Sequence, residues 1–397
     1  MPALFPVPYN TLTTHFCDAM ADSLNLNQQL LAAAVDGDHH GVVRLLALGA
    51  DALYCECLAL CNAATHGHAE CVRLLITVSD PQASDSKALH LAAMRGHAEC
   101  VELLIPLSDP NANNSGALGW AARFGHAECV NLLIPVSDPK ADNCAALVRA
   151  AKHGHAECVE LLIPYSDPKV DSSRALFNAA EHGHVECVKL LMPVSNPKDD
   201  DSAALRRAAR YGHAECVKLL IPASDPQANY SAALVLAASY GRVECVRLLL
   251  PVSDPKADSS YALRLAALHG HAECVELLRF ASDPKAQNSQ ALRNAIAKGH
   301  PECARLLAPV SDPLIGMVET VARLASISDE SANMLPALLA LEPRLFDELN
   351  FPAILAAATA KGHAKIALLI SSIIEQKSLA AHLPSLAASN APSPLRI

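Results

Sequence analysis

The sequence predicts an all-α fold, an elongated solenoid of stacked helix–turn–helix units, and three observations carry that prediction. A Gly-(His/Arg)-x-Glu-Cys core recurs nine times at a 29-residue step, with its glycines at Gly67, Gly96, Gly125, Gly154, Gly183, Gly212, Gly241, Gly270 and Gly299. Each step carries two apolar stripes of helical spacing, and no segment alternates with the period of a strand. A strict period of this length marks an array in which each unit is too small to bury its own apolar face and hides it against its neighbours.

The unit from Asp109 to Ser137 shows how each element arises. Ala117, Leu118, Ala121 and Ala122 stand at i, i+1, i+4 and i+5 and share one side of a helix, where small Ala pairs let the next helix approach closely. Asn114 or Ser115 is expected to supply the N-cap oxygen. Gly125 ends the helix because glycine takes the left-handed conformation at little cost. A second helix follows, with Cys129, Val130, Leu132, Leu133 and Ile134 as its stripe and Glu128 in its first turn, where a carboxylate suits the helix dipole. Pro135 stops it. Ser-Asp-Pro then forms a tight turn, Pro fixing φ and Asp bonding nearby backbone N–H groups.

The pattern Ala-Leu-x-x-Ala-Ala-x-x-Gly-His-x-Glu-x-Val-x-Leu-Leu resembles the ankyrin repeat. The resemblance covers roughly residues 26 to 312, and Gly362-His363-Ala364-Lys365 with Leu368-Leu369-Ile370 looks like a last degenerate unit. Leu45-Leu46-Ala47-Leu48-Gly49-Ala50-Asp51 is similar to the family's loop. Two departures stand out. Each unit is four residues shorter than the family's usual repeat, and Thr-Pro-Leu-His gives way to segments such as Ser86-Lys87-Ala88-Leu89-His90. The resemblance places the missing residues in the family's projecting β-hairpin finger, so almost no strand is expected.

Composition agrees. The 397 residues are 51% hydrophobic but only 4% aromatic, which describes a core of Ala, Leu, Val, Ile and Cys and not a deep pocket walled by rings. A net charge of -10 gives no global attraction to nucleic acid or anionic membrane, although it can hide a local patch. No apolar run approaches the roughly 18 residues that span a bilayer, and Met1 to Asn25 lacks a basic start and a continuous apolar stretch. The expectation is a soluble cytoplasmic monomer without a cleaved secretory signal. Nine of the fourteen cysteines, from Cys71 to Cys303, occupy one phase of the repeat. Stacked helices lie about 8 to 10 Å apart and a disulfide needs Cα atoms within about 7 Å, so these read as small buried hydrophobes in a reducing compartment.

Catalytic chemistry finds little support. His-Ala-Glu recurs, as at His68, His97 and His126, and matches half of a zinc deaminase signature whose other half is absent. Cys55, Cys57 and Cys61 admit a metal reading with His66 or His68, set against simple packing in an irregular first helix, which is preferred. Cys17 and Cys144 are isolated and have no neighbouring base. The Asp of each turn and the Glu of each second helix read as stabilisers of those local structures. No catalytic residue, metal or cofactor is assigned, and the chain is not expected to be an enzyme.

Binding information in such an array sits where units vary while the frame stays constant. Five positions of each first helix, opposite the Ala-Leu and Ala-Ala core, vary freely. Over the eight units from Asp80 to Ser311 they hold twelve cations and a single acid, Glu181, together with six of the fifteen aromatic residues. The predicted contact set is Lys87, His90, Arg95, Trp120, Arg123, Phe124, Arg149, Lys152, His153, Arg174, Phe177, His182, Arg206, Arg207, Arg210, Tyr211, Tyr240, Tyr261, Arg264 and Arg293. Arg with Trp, Tyr and Phe is the composition of interface hot spots, weighed against helix formers on a solvated face. The resemblance implies that this helix lines the concave side.

Residues 1–25 read as a poorly ordered start, 26–50 as an N-terminal capping repeat, 51–312 as the array, 313–376 as degenerate repeats with helices over 317–327, 333–341 and 351–376, and 377–397 as a mobile tail. The function expected is protein binding, to an acidic partner, through the basic and aromatic face. Nucleic-acid binding by the same face is an alternative that the interspersed acids and overall charge count against. A substrate-recruiting adaptor is another, including an effector delivered by bacteria into the host cytoplasm.

Overall fold

Each 29-residue step becomes one pair of antiparallel helices. A computed structural model describes residues 25–312, 350–360 and 362–389, and the predicted helices over 317–327 and 333–341 lie outside them. The chain divides into two units, residues 1–199 and 200–397. In the first, helices over 25–36 and His39–Ala47 precede first helices Tyr54–His66, Ala83–Arg95, Ala112–Phe124, Ala141–His153 and Val170–Glu181, each followed by a second helix such as Ala69–Leu75 or Ala127–Leu133. The second unit repeats the scheme with first helices Asp199–Tyr211, the opening residue of which belongs to the first unit, then Ala228–Ser239, Ala257–His269 and Ala286–Ala297. It ends on helices Phe351–Ala360 and Ala364–Ser389. There is no strand among the described residues.

Within each unit first helices pack on first helices and second helices on second helices. The predicted stripe does the packing: Ala117, Leu118, Ala121 and Ala122, with Cys129, Val130 and Leu133 beneath them, have no exposed surface. Nine cysteines of the ladder are buried. Desolvation is the largest cause that pushes the thiols of Cys100, Cys129 and Cys158 up to about 11, the glutamate one residue before each adding to it.

Gly125 stops its helix in the left-handed region, at φ +80°. A second reason for glycine lies in the next repeat, because a Cβ on Gly125 would meet His155 Nδ1 at 2.5 Å. That histidine's Nε2 in turn donates to the carbonyl of Arg123, 32 residues back, at 2.9 Å. His97, His126, His184, His271 and His300 repeat the bond, and in one repeat Arg242 replaces the histidine and donates through Nε to Arg210 O. The Gly-His pair therefore works between units.

The expected N-cap is corrected. Neither Asn114 nor Ser115 caps the first helix. Asn113, Asn114 and Ser115 instead form a left-handed turn, with φ of 52°, 56° and 57°, before the right-handed helix begins. This turn and the Asx turn before it, in which Asp109 Oδ1 accepts from Asn111 N at 2.9 Å, stand where the resemblance put a hairpin finger. Three consecutive left-handed residues cost about 1–2 kcal/mol each, and the turn persists because its third side chain is tied into the next repeat. Ser115 is buried and accepts the N–H of Asp138 at 2.9 Å. Cys57 and Cys144 occupy the same position, and their sulfurs accept from Asp80 N and Asp167 N at 3.2 Å. Cys144 is thus part of the frame.

The last helix continues past Lys377 to Ser389, and residues 390–397 of the expected tail lie outside the described ones. Ala and Leu, among the strongest helix formers, recur there on both sides of Pro384.

Candidate protein-binding face

None of the twenty predicted contact residues is buried. They fall on the solvent side of the first helices because the Ala-Leu and Ala-Ala pairs of those helices face the neighbouring repeat. In the unit of residues 1–199 the centre is Trp120, the one tryptophan of the chain. Its ring has the guanidinium of Arg123 at 5.2 Å and that of Arg149, from the next repeat, at 5.8 Å. Phe124 stacks on it with centroids 6.0 Å apart and also carries Arg123 at 5.6 Å. Cation–π contact at such distances is worth about 0.5–1 kcal/mol when exposed. Gly119 makes this arrangement fit, since a Cβ there would run into Arg149 Nη1. Glycine within a helix costs about 1 kcal/mol relative to alanine, and here it makes room for a side chain from the adjacent unit.

Around this centre, Lys87, Arg95, Lys152 and Arg174 are exposed and Phe177 is half-buried. His90 is half-buried beside Gly116, and desolvation lowers its proton affinity. His153 is exposed, stacked on His155 at 6.4 Å, and has its proton affinity lowered by desolvation first and then by Arg123, Lys152, His155 and His182. His182 stacks on His184 at 6.1 Å and bonds the carbonyl of Asn178 through Nδ1. A shallow cleft of about 250 Å³ opens between the left-handed turns at Asp142 and Asp171, with Arg149 and Arg174 on its walls. Arg174 is paired with Asp171 at 3.1 Å.

In the unit of residues 200–397, Arg210 lies 5.5 Å from the ring of Tyr211 and 4.9 Å from that of Tyr240, so it joins two repeats. Arg264 lies 4.9 Å from Tyr261, and all three tyrosines are exposed. Arg207 is half-buried.

Three predicted contact arginines have work inside the chain. Arg206 Nη2 donates to Asp200 O at 2.6 Å and pairs with the Asp200 carboxylate at 3.3 Å. Arg264 donates to Asp258 O at 2.8 Å, Ser259 O at 3.1 Å and Gln287 Oε1 at 2.9 Å. Arg293 donates to Gln287 O at 3.2 Å. Each stands six residues after the first residue of a left-handed turn and satisfies that residue's carbonyl. This spacing is visible in the sequence, but its meaning depends on the left-handed turn, which only the folded backbone shows.

Side chains of the metal reading point to separate partners: Cys57 Sγ to Asp80 N, His68 Nε2 to Val35 O at 2.8 Å, and His66 Nδ1 to Asn62 O at 2.9 Å. Among the described residues no three His, Cys, Asp or Glu side chains converge as a metal ion requires. No helix among them is long and apolar enough to cross a membrane.

No curated protein matches the chain. A family model described as ankyrin repeats in three copies matches residues 30–114, 89–172, 118–201, 147–232, 176–260, 205–288 and 234–316. These overlapping matches run without a break through every 29-residue step, and repeats of this kind are modules of protein–protein interaction. The chain therefore belongs to the ankyrin repeat family.

Proposed function

We propose that the chain is a non-catalytic, monomeric cytoplasmic scaffold that captures an acidic protein segment on the outward face of its first helices. The observation that carries this reading is the laying of guanidinium groups over surface rings, Arg123 and Arg149 at the half-buried Trp120 and Arg210 at the exposed Tyr211 and Tyr240. A cation held on a ring keeps its N–H edges available for carboxylates, and the ring supplies apolar area at small entropic cost. The second helices present Glu70, Glu99, Glu128 and their equivalents on the surface, which steers an acidic partner toward the first helices.

Charge reversal at Arg123, Lys152 and Arg210, with titration of a glutamate-rich peptide and far-UV circular dichroism, tests the proposal. Binding is expected to be lost and helicity kept. Unaltered peptide affinity, or binding to generic RNA that outcompetes the peptide and falls steeply with salt, contradicts it. Arg206 is unsuited to the test, because it caps the turn at Asp200.

A further inference from the structure

In the unit of residues 1–199, neighbouring repeats bring together a group of cations that no acid answers. Arg123 and Arg149 share the Trp120 ring, and Lys152 and Arg123 are both close enough to His153 to lower its proton affinity. Three other cations of this unit end on carboxylates, Arg73 on Glu70 and Glu99, Arg174 on Asp171, and Lys189 on Glu186, while Lys87 and Arg95 are exposed without sharing a ring with a second cation. Arg123, Arg149 and Lys152 form no ion pair among the described residues. Asp171 lines the cleft beside Arg149 but pairs with Arg174.

Such a concentration of charge exceeds what one carboxylate satisfies. A carboxylate brings a single charge and two oxygens, whereas a phosphomonoester brings about -1.5 to -2 and three strong acceptor oxygens. Two guanidinium forks oriented by the indole, with a flexible ammonium beside them, match the second. We propose that the Trp120 patch is a site for a phosphorylated side chain, Arg123 and Arg149 holding its oxygens and Lys152 completing the charge. This inference rests on the proposed capture of an acidic segment and names the residue of that segment seated at Trp120. The occupant is a protein segment and not a polyanion, because Phe124 and Trp120 offer it apolar surface beside the cations and the chain's charge of -10 repels polymers of phosphate.

The full chain is titrated with three glutamate-rich peptides that differ at one central residue, serine, phosphoserine or glutamate. Calorimetry gives the affinity, and the fluorescence of Trp120, the sole tryptophan, reports the site. The phosphoserine peptide is expected to bind about ten-fold more tightly than the glutamate peptide and to change Trp120 emission. Arg149→Lys, which keeps the charge and loses the fork, and Lys152→Gln are each expected to shrink that preference while helicity is retained. Equal affinity for phosphoserine and glutamate overturns the phosphate site and leaves capture of an acidic segment standing. Failure of all three peptides overturns both. A preference that survives Arg123→Gln combined with Lys152→Gln, or an equal response of Trp120 to inorganic phosphate, RNA or anionic lipid vesicles, also overturns it.

Discussion

The buried Ser115 hydroxyl accepts the backbone N–H of Asp138 at 2.9 Å, 23 residues further along the chain. The same bond runs from Asp109 to Ser86, and in the second unit from Asp225 to Ser202 and from Asp254 to Ser231. It ties the left-handed turn of one repeat to the Asx turn of the next. Both turns are short and polar, and neither has apolar area enough to hold itself.

Ser115→Ala removes the acceptor and leaves a partly buried backbone N–H unmet, which costs up to about 1–3 kcal/mol. Ser115→Cys is expected to restore most of this, because sulfur already performs the task at Cys57 and Cys144. Urea midpoints of the three proteins decide. A cysteine variant no more stable than the alanine variant contradicts the assignment.

Gly125→Ala is expected to destabilise more than Gly49→Ala. Both glycines have positive φ, +80° and +95°, so both lose the backbone freedom that alanine lacks, about 1–2 kcal/mol. Only at Gly125 does the added methyl meet a histidine ring from the following repeat, whereas nothing lies within 4 Å at Gly49. Removing the ring with His155→Ala in the Gly125→Ala background should recover part of the difference, as a double-mutant cycle would show.

Stability is expected to decline on mild acidification. Desolvation first, then His269, His300 and Arg242, lower the proton affinity of His271 below its ordinary value of 6.5, opposed by its bond to Ser239. His90 and His153 shift in the same direction. Between the lowered folded value and 6.5 the unfolded chain binds more protons, so stability rises with pH in that window and is lost as pH falls through it. His271→Arg, which copies the natural arginine at Arg242, is expected to flatten the slope. Denaturation midpoints on either side of pH 6.5 measure this.

Among the described cysteines Cys55 is exposed and the other twelve are buried. Alkylation of the native protein at neutral pH is expected to label Cys55 well before Cys129 or Cys158, whose thiols sit near 11 and hold almost no thiolate. Peptide mass spectrometry after timed quenching reads the order, and rapid labelling of Cys129 would refute its burial.

Gly119→Ala offers a test of the binding face that leaves its charges untouched. The methyl displaces the Arg149 guanidinium from its position beside Trp120. Helicity is expected to hold or rise, since alanine favours a helix interior by about 1 kcal/mol, while Trp120 emission changes and affinity for an acidic peptide falls.

How much of this was legible depends on the reach of each interaction. Ala117, Leu118, Ala121 and Ala122 could be assigned to the core from their spacing, and Gly125 to a helix end, because helical periodicity and left-handed backbone are local properties. The outward positions followed from the same geometry by elimination, and so all twenty predicted residues lie on accessible surface. Their separate tasks were not legible. That Arg206 turns back to Asp200 while Arg210 spreads over Tyr240 depends on where a left-handed turn and a neighbouring helix happen to stand.

By itself, then, the sequence determined the 29-residue unit, its two helices, its apolar stripe and its variable face, since each is written as a spacing between residues a few positions apart. Tertiary structure alone decided the bonds that span 23, 27 and 32 residues: Ser115 to Asp138, Ser137 to Pro110 and His155 to Arg123. A polar side chain at a turn has several backbone groups within reach in its own repeat. Which one it takes is fixed only when the next repeat docks and brings a single N–H or carbonyl into line with it.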